Sequence, residues 1–468
     1  MPAKVRALVA ALIITVVALA GALYLGFERG YQQAQLNAVT SSGVANLDLR
    51  SLLTSGTPDE KLLDLAFRRV EEAFYKPVMA QTLLTGEHNG LLEYLKYRKV
   101  SDPSLPAIYA TGDQARDEAR LRDELAAAQN HYGKQVGKVE LTQAAIRGML
   151  NSLNDPYTTY LSPHDIQGLQ ESLSGGNFGG IGVYIVQDPR NNQIIVTPIE
   201  SMPAAKVGVK PGDVVMSVDG KSTKGMKLDE VERLIRGPAG TVVRLLTHPL
   251  KSTRVRRYAI MRQVIHVPSV KAKMSDGFEY VRLFDFGDTS ADEVRRALLD
   301  GKAHGAKGYI LDLRDNGGGL LEAAVSISSL FISSGTIVST IDRAGSRETQ
   351  QARGGTIGAT PLVVLVNKYT ASASEITSGA IQDYKVGTLI GTKTFGKGVV
   401  QSIYNLPDTS ALKITTAKYV TPLGRDIQHK GIQPDVVVPQ NTDPILIDTP
   451  KDVQLAAAKA HLRRMAHK

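Results

Sequence analysis

The sequence predicts an α/β fold: a βαβ-type core carrying an inserted small β-domain, preceded by a helical region and an apolar N-terminal helix. Three observations predict it. Beyond Glu279, strand-length apolar runs alternate with amphipathic helical stretches, the rhythm of βαβ units. Over residues 175–262 that rhythm gives way to short β-branched runs separated by Gly and Pro turns. Over residues 59–128 apolar residues recur at helical spacing. A chain of 468 residues has room for two or three such domains.

Taken in order, the chain starts with Lys4 and Arg6, followed by an uncharged, mostly apolar run over residues 7–27, long enough to cross a bilayer as one helix. Positive charge before the run keeps that end in the cytoplasm and sends the rest across. A cleaved signal peptide is the competing reading, because Ala18-Leu19-Ala20 has the small-x-small form of a cleavage site. The run continues through Leu23, Tyr24 and Leu25, so residues 1–30 are read as a signal anchor, a transmembrane helix, and 31–58 as a polar stalk. In the helical region, 59–174, the residues Leu62, Leu63, Ala66, Phe67, Val70 and Phe74 mark one apolar face. A Pro- and Gly-containing break over 100–112 leads to a charge-rich stretch over 113–128. Scaffold, substrate gate and oligomer contact all remain open as roles for this region. A helix over 142–153 ends at Asn154-Asp155-Pro156, where proline stops it.

The β-domain is expected over 175–265. Gly179-Gly180 precedes an alternating strand through Val183 and Ile185, and a second helix over 228–236 closes at Gly237-Pro238. The core is expected over 266–440: a strand over 280–284, a helix over 290–299, a buried-type strand over 308–313, a Gly-rich turn, a helix from Leu320 and a strand over 362–366. Residues 343–360, with four glycines and no apolar period, read as an exposed loop, and 441–468 as a C-terminal tail helix.

Composition narrows the chemistry. The apolar share is 43% and the charged share 22%, ordinary for a globular protein. The absence of cysteine excludes a disulfide framework, a thiolate zinc site and a cysteine nucleophile, and fits an oxidising compartment. The net charge of +9 is spread along the chain; its clusters at Arg254, Arg256, Arg257 and at Arg463, Arg464, Lys468 read as solvated surface. No nucleic-acid motif stands behind it, and no His/Asp/Glu spacing calls for a metal or cofactor.

The chemistry-bearing residues are Ser372, between two alanines at a strand-to-helix turn, and Lys397, between two glycines. A serine hydroxyl needs a base to take its proton, and a lysine amine serves only once burial or neighbours have lowered its ordinary value near 10.4. The flanking Phe395, Gly396, Gly398, Val399 and Val400 are apolar or small, as such burial requires. Gln401, four residues on, shares a face with Lys397 in a strand or a helix and could hold a neutral amine without restoring its charge. Gly317-Gly318-Gly319, after the run Leu311-Asp312-Leu313, lets backbone N–H groups point into a site, as an oxyanion hole needs. Each has a plainer reading: Ser372 as a helix N-cap, Lys397 as a turn lysine, Gln401 as a solvated strand residue, the glycines as a phosphate cradle. Glu375 and Asp383, on the helix after Ser372, could join a polar network near the site but read first as helix-dipole or surface pairs, and His429, the best histidine for a Ser-His-Asp triad, reads as a surface residue.

Leu153-Asn154-Asp155-Pro156-Tyr157-Thr158-Thr159-Tyr160, Asp312-Leu313-Arg314-Asp315-Asn316-Gly317-Gly318-Gly319, residues 367–375, Phe395-Gly396-Lys397-Gly398 and Gly431-Ile432-Gln433-Pro434-Asp435 stand in that order around the β-rich block. The chain thereby resembles the carboxyl-terminal processing proteases, exported serine peptidases with an inserted PDZ domain, over residues 139–439. The resemblance implies Ser372 as nucleophile, Lys397 as general base, Gln401 orienting the lysine, and the backbone amides of Ala373 and of Gly318 or Gly317 as the oxyanion hole. It implies a PDZ domain whose loop Gly180-Ile181-Gly182, with Val183 in the strand beyond, receives a C-terminal carboxylate, and Arg236 is a candidate relay between domains. The expected partners are protein substrates with accessible C-terminal tails, the membrane through the N-terminal helix, and either a homo-oligomer or an activating adaptor. The catalytic part is expected outside the cytoplasm, membrane-anchored, or secreted if the N-terminal segment is cleaved. Two rival readings stay open, a catalytically silent PDZ adaptor and an acyl hydrolase for small esters.

Overall fold

The computed structural model describes residues 57–173, 178–188, 191–250, 252, 254–265, 267–439 and 446–466. The expected anchor and all but the end of the expected stalk lie outside them. Among the described residues no helix is long and apolar enough to cross a membrane. The chain divides into two compact units.

The first unit comprises the chain up to Ser162 together with Gln401–Thr416. Its first helix, Pro58–Ala73, starts where the sequence Thr57-Pro58-Asp59-Glu60 forms a capping box. The Thr57 hydroxyl accepts from the Glu60 N–H at 3.3 Å, and the Glu60 carboxylate accepts from the Thr57 N–H at 2.8 Å. All six residues of the predicted apolar face are buried there. They pack with residues of the helices Ala80–Tyr97, Gln114–Val136 and Lys138–Asn151 and with Leu406, Leu412 and Ile414. The charge-rich stretch is one long helix begun by Asp113, whose side chain accepts from the Arg116 N–H. Three of its four acids are not solvated. Asp117, Glu118 and Glu124 are buried, and Glu118 is matched by Arg68. The next helix begins at Lys138, four residues earlier than its sequence suggested, because Gly137 with φ 90° ends one helix and starts the other. The strand Thr159–Leu161 runs antiparallel to Ala411–Lys413.

The second unit holds residues 163–400 and 417 onward. In its β-rich insert five antiparallel strands lie in the order Val183–Gln187, Ile194–Pro198, Asp213–Val218, Val242–Pro249, Arg256–Met261. The helix Leu228–Ile235 contributes Val231 and Ile235 to their core. Phe178–Gly180 pairs with Gln263–Ile265, so the chain enters and leaves the insert side by side.

The core sheet has six strands in the order Val270–Ser275, Phe278–Leu283, Tyr309–Asp312, Leu362–Val366, Thr388–Gly391, Val436–Val437. Only the first pair is antiparallel. Leu362–Val366 is buried at all five positions, which is why its sequence is a continuous apolar run and not an alternation. The C-terminal helix is Val453–Ala466, seated by Leu455, Ala458 and Leu462 against Phe278, Tyr280 and Ile310. Beside its start the fully buried Arg314 guanidinium is shared by Asp312 and Asp452.

The expected loop over 343–360 is different. Arg347–Gln351 is a strand, paired with Thr336–Asp342, which pairs in turn with Ala417–Val420. Its five residues are all polar because it lies at the edge of its sheet with little burial, so no alternation betrays it.

Candidate active site

The strand Leu362–Val366 ends in the parallel sheet and delivers Asn367–Ala371 to a sharp turn, after which Ala373–Asp383 is helical. Between them Ser372 sits at φ 57°, ψ −119°. Such backbone is sparsely populated for a non-glycine residue and persists only where its surroundings over-determine it. Those surroundings are explicit. The Ala371 N–H donates to the Asn316 carbonyl at 3.0 Å. The Ser372 N–H donates to Glu375 Oε2 at 3.0 Å, and the Ser372 carbonyl accepts from the N–H groups of Glu375 and Ile376.

Lys397 lies in the loop before the strand Val399–Asn405, so the same-face argument that linked it to Gln401 through one regular element does not apply. The loop is fastened to the serine turn by backbone, the Phe395 N–H reaching the Thr370 carbonyl at 3.0 Å. Both glycines beside the lysine are needed for close approach to the turn at 427–431. A Cβ on Gly396 would stand 2.7 Å from the Gly431 nitrogen, and one on Gly398 would stand 2.7 Å from that of Gln428. Lys397 is half-buried, while Phe395, expected to help bury it, is 56% exposed.

One carboxylate joins the two segments. Glu375, with no exposed surface, accepts from the Ser372 N–H and, on the same oxygen, from the Lys397 N–H at 2.9 Å. Its other oxygen accepts from the Gly396 N–H at 2.8 Å and the Thr394 hydroxyl at 2.5 Å. Burial pushes this carboxyl up from its ordinary value, and the four donors pull against it. The reading of Glu375 as a helix-dipole or surface residue is therefore corrected. Its signal in sequence was the Ser-x-x-Glu spacing from Ser372, half of a capping box, but the donors from 394–397 come from a segment twenty residues away. Tyr419, also buried and missed by the sequence reading, places its hydroxyl 2.5 Å from the Lys397 carbonyl and 3.1 Å from that of Ser372. Asp383 pairs with Arg425, its side chain 3% exposed in a residue that as a whole is half-buried.

The glycine turn meets the serine turn from the other side. Gly318 has φ 99°, and a Cβ there would lie 2.8 Å from the Ala371 carbonyl oxygen, the Ala373 nitrogen and Ser372 Cβ. No larger residue fits. The Gly318 N–H donates to Asn316 Oδ1 at 2.8 Å. Among the described residues no acceptor is bonded to the N–H of Gly317 or of Ala373, the first residue of its helix.

Gln401 belongs to the other unit, where its amide lies 3.5 Å from the Thr415 hydroxyl. His429 is exposed on the turn at 427–431, its backbone N–H bonded to the Gly396 carbonyl. Among the described residues no group of three or more His, Asp or Glu could hold a metal.

In the β-rich insert, Val183–Gln187 is an edge strand, with Tyr184 and Val186 exposed. The carbonyls of Ile181 and Gly182 turn inward, accepting from the N–H groups of Ala204 and Ile199. Among the described residues their own N–H groups meet no acceptor, while Gly180 is paired with Gln263. Arg236, at the C-terminal end of its helix, pairs with Glu232.

Three family models match the chain. Residues 278–438 match the model of peptidase family S41, residues 194–247 that of the PDZ domain, and residues 110–164 that of the activating protease CtpB N-terminal domain. The fold is thus that of a peptidase with a PDZ insert. The chain is 40% identical to a carboxyl-terminal-processing protease of Synechocystis over 68% of this chain and 76% of that one. It is 38% identical to the carboxy-terminal processing protease CtpA of Bacillus subtilis, over 70% of each. A solved structure titled photosystem II D1 C-terminal processing protease is 30% identical, covering 85% of this chain and 96% of that one at a TM-score of 0.46. The chain belongs to the carboxyl-terminal processing protease family and is a peptide hydrolase.

Proposed function

We propose that the chain is a serine endopeptidase that cuts exported proteins near their C-termini, with Ser372 as nucleophile and Lys397 as general base. The observation that carries this is the Glu375 carboxylate, which ties the backbones of both residues to one buried oxygen beside a strained serine turn. The neutral Lys397 amine takes the Ser372 hydroxyl proton as Oγ attacks the scissile carbonyl carbon. The resulting oxyanion is met by the Ala373 N–H, at the positive end of an 11-residue helix, and by the glycine turn. The lysine ammonium then gives its proton to the leaving amine, the peptide C–N bond breaks, and an acyl ester remains on Ser372. Water attacks the ester with Lys397 again as base, releasing the carboxylate product and restoring the hydroxyl.

The PDZ domain binds the substrate's C-terminal tail. Support comes from the inward carbonyls of Ile181 and Gly182, which leave N–H groups for a carboxylate, and from the open edge Val183–Gln187, beside which an extended peptide can add as a strand. The apolar N-terminal run, read as an anchor, puts this machinery outside the cytoplasm, and Arg236 relays tail binding to the core.

The test is cleavage of an unstructured protein ending in small apolar residues, followed by mass spectrometry with the full chain. Loss of cleavage in both Ser372→Ala and Lys397→Ala, together with dependence on the substrate's free C-terminus, is the expected result. Cleavage that survives Lys397→Ala overturns the dyad. Tail binding with no cleavage by any version points to the adaptor.

A further inference from the structure

The glycine turn is held by one side chain, that of Asn316, which has no exposed surface. Its amide spans two strand ends. Oδ1 accepts from the Gly318 N–H at 2.8 Å, and Nδ2 donates to the Leu283 carbonyl at 2.9 Å. Its own backbone carbonyl accepts from the Ala371 N–H at 3.0 Å and the Ser374 hydroxyl at 3.1 Å, the residues on either side of Ser372 and Ala373. Asn316 therefore touches the glycine turn with its side chain and the nucleophile turn with its main chain. The fit between those turns is tight, as the 2.8 Å clearances around Gly318 record.

We propose that Asn316 is a positioning residue for the oxyanion site. It fixes Gly318 against Ser372 and Ala373 and takes the Gly318 N–H for itself, so that the donors left for an oxyanion are the N–H groups of Gly317 and Ala373. The requirement is specific to an amide. The side chain must accept from one backbone group and donate to another on the neighbouring strand. An aspartate lacks the donor, alanine lacks both, and glutamine is too long for the two-residue reach to Gly318. Removing the amide frees the turn to move relative to Ser372. Binding of the substrate tail is untouched, whereas stabilisation of charge that exists only in the transition state is lost.

This inference rests on Ser372 being the nucleophile, and the experiment separates the two. In the full chain, kcat and KM for a tailed substrate are measured for Asn316→Ala and Asn316→Ser, beside Ser372→Ala. Affinity for a peptide boronate, whose serine adduct carries the oxyanion charge, and thermal unfolding are recorded for the same variants. In Asn316→Ala, kcat is expected to fall about thirtyfold or more with KM within about threefold, the range that an oxyanion-site defect spans. Boronate affinity is expected to fall in parallel. Asn316→Ser, whose hydroxyl can still accept from the N–H two residues on, is expected to lie between wild type and alanine. Should the alanine variant fail to fold, the serine variant decides alone, by loss of kcat and boronate affinity at unchanged KM. Unchanged kcat, or a loss seen only in KM or thermal stability, overturns the proposal. Activity surviving Ser372→Ala overturns the functional reading on which it rests.

Discussion

Glu375 is where a single substitution separates this account from one in which Ser372 and Lys397 are merely near each other. Its carboxylate serves four donors, three of them backbone N–H groups, in a place with no exposed surface. A buried donor left without a partner costs about 1–3 kcal/mol, so Glu375→Ala forfeits roughly 4–8 kcal/mol locally if water recovers part of the loss. Glu375→Gln keeps one acceptor oxygen and turns an NH2 group toward donors, at a cost of about 2–4 kcal/mol. With two compact units, a global unfolding free energy is poorly defined, so the readout must be local. Hydrogen exchange in peptides covering 372–376 and 394–398 supplies it. At about 1.4 kcal/mol per tenfold, the glutamine variant is expected to exchange these amides about 30- to 1000-fold faster. Its kcat should fall while affinity for a C-terminal tail peptide, which the proposed function assigns to the PDZ domain, stays within about twofold, because the lost contacts lie around Ser372 and Lys397 alone. Wild-type exchange in both peptides together with wild-type kcat would refute the reasoning that one carboxylate sets the register of nucleophile and base.

Two further predictions concern buried charge away from the site. Glu87, fully buried in the helical unit with both carboxylate oxygens unpartnered, is pushed well above its ordinary value by burial and by the neighbouring Glu124 and Asp64. A raised folded-state value means the native state holds the proton more tightly than the unfolded chain. The associated stability is complete below the ordinary glutamate value and is lost as pH rises toward the raised one. Glu87→Gln should therefore raise the melting temperature more at pH 8 than at pH 4, and an equal shift at both would contradict this. Asp452→Ala removes two bonds of 2.8 Å from the buried Arg314 guanidinium. At about 1.5–3 kcal/mol for each charge-assisted bond it should loosen the helix Val453–Ala466 and open residues 446–452 to protease. Wild-type resistance in limited proteolysis would count against it.

Much of the core was legible because its elements are written locally. Leu362–Val366 is an unbroken apolar run, buried on both faces as such a run implies, and the serine turn follows it directly. The helical face from Leu62 to Phe74 is read from periodicity alone, since one helix must bury one stripe. What escaped is written non-locally. Glu375 looks like any first-turn glutamate until the lysine loop closes over it. Asn316 looks like a turn asparagine until Leu283 arrives from another strand. Arg347–Gln351 carries no alternation because an edge strand with little burial does not need one. Asp117, Glu118 and Glu124 showed in sequence only as part of a charge-rich stretch; that they are buried was not legible, because their partners lie on other segments or helices.

The central claim is that Ser372 is a nucleophile activated by Lys397. It is tested most directly by reacting the full chain with a fluorophosphonate and locating the adduct by peptide mass spectrometry. The account predicts one adduct, on Ser372, and none in Lys397→Ala. An adduct elsewhere, or labelling of Ser372 at wild-type rate without Lys397, would contradict it.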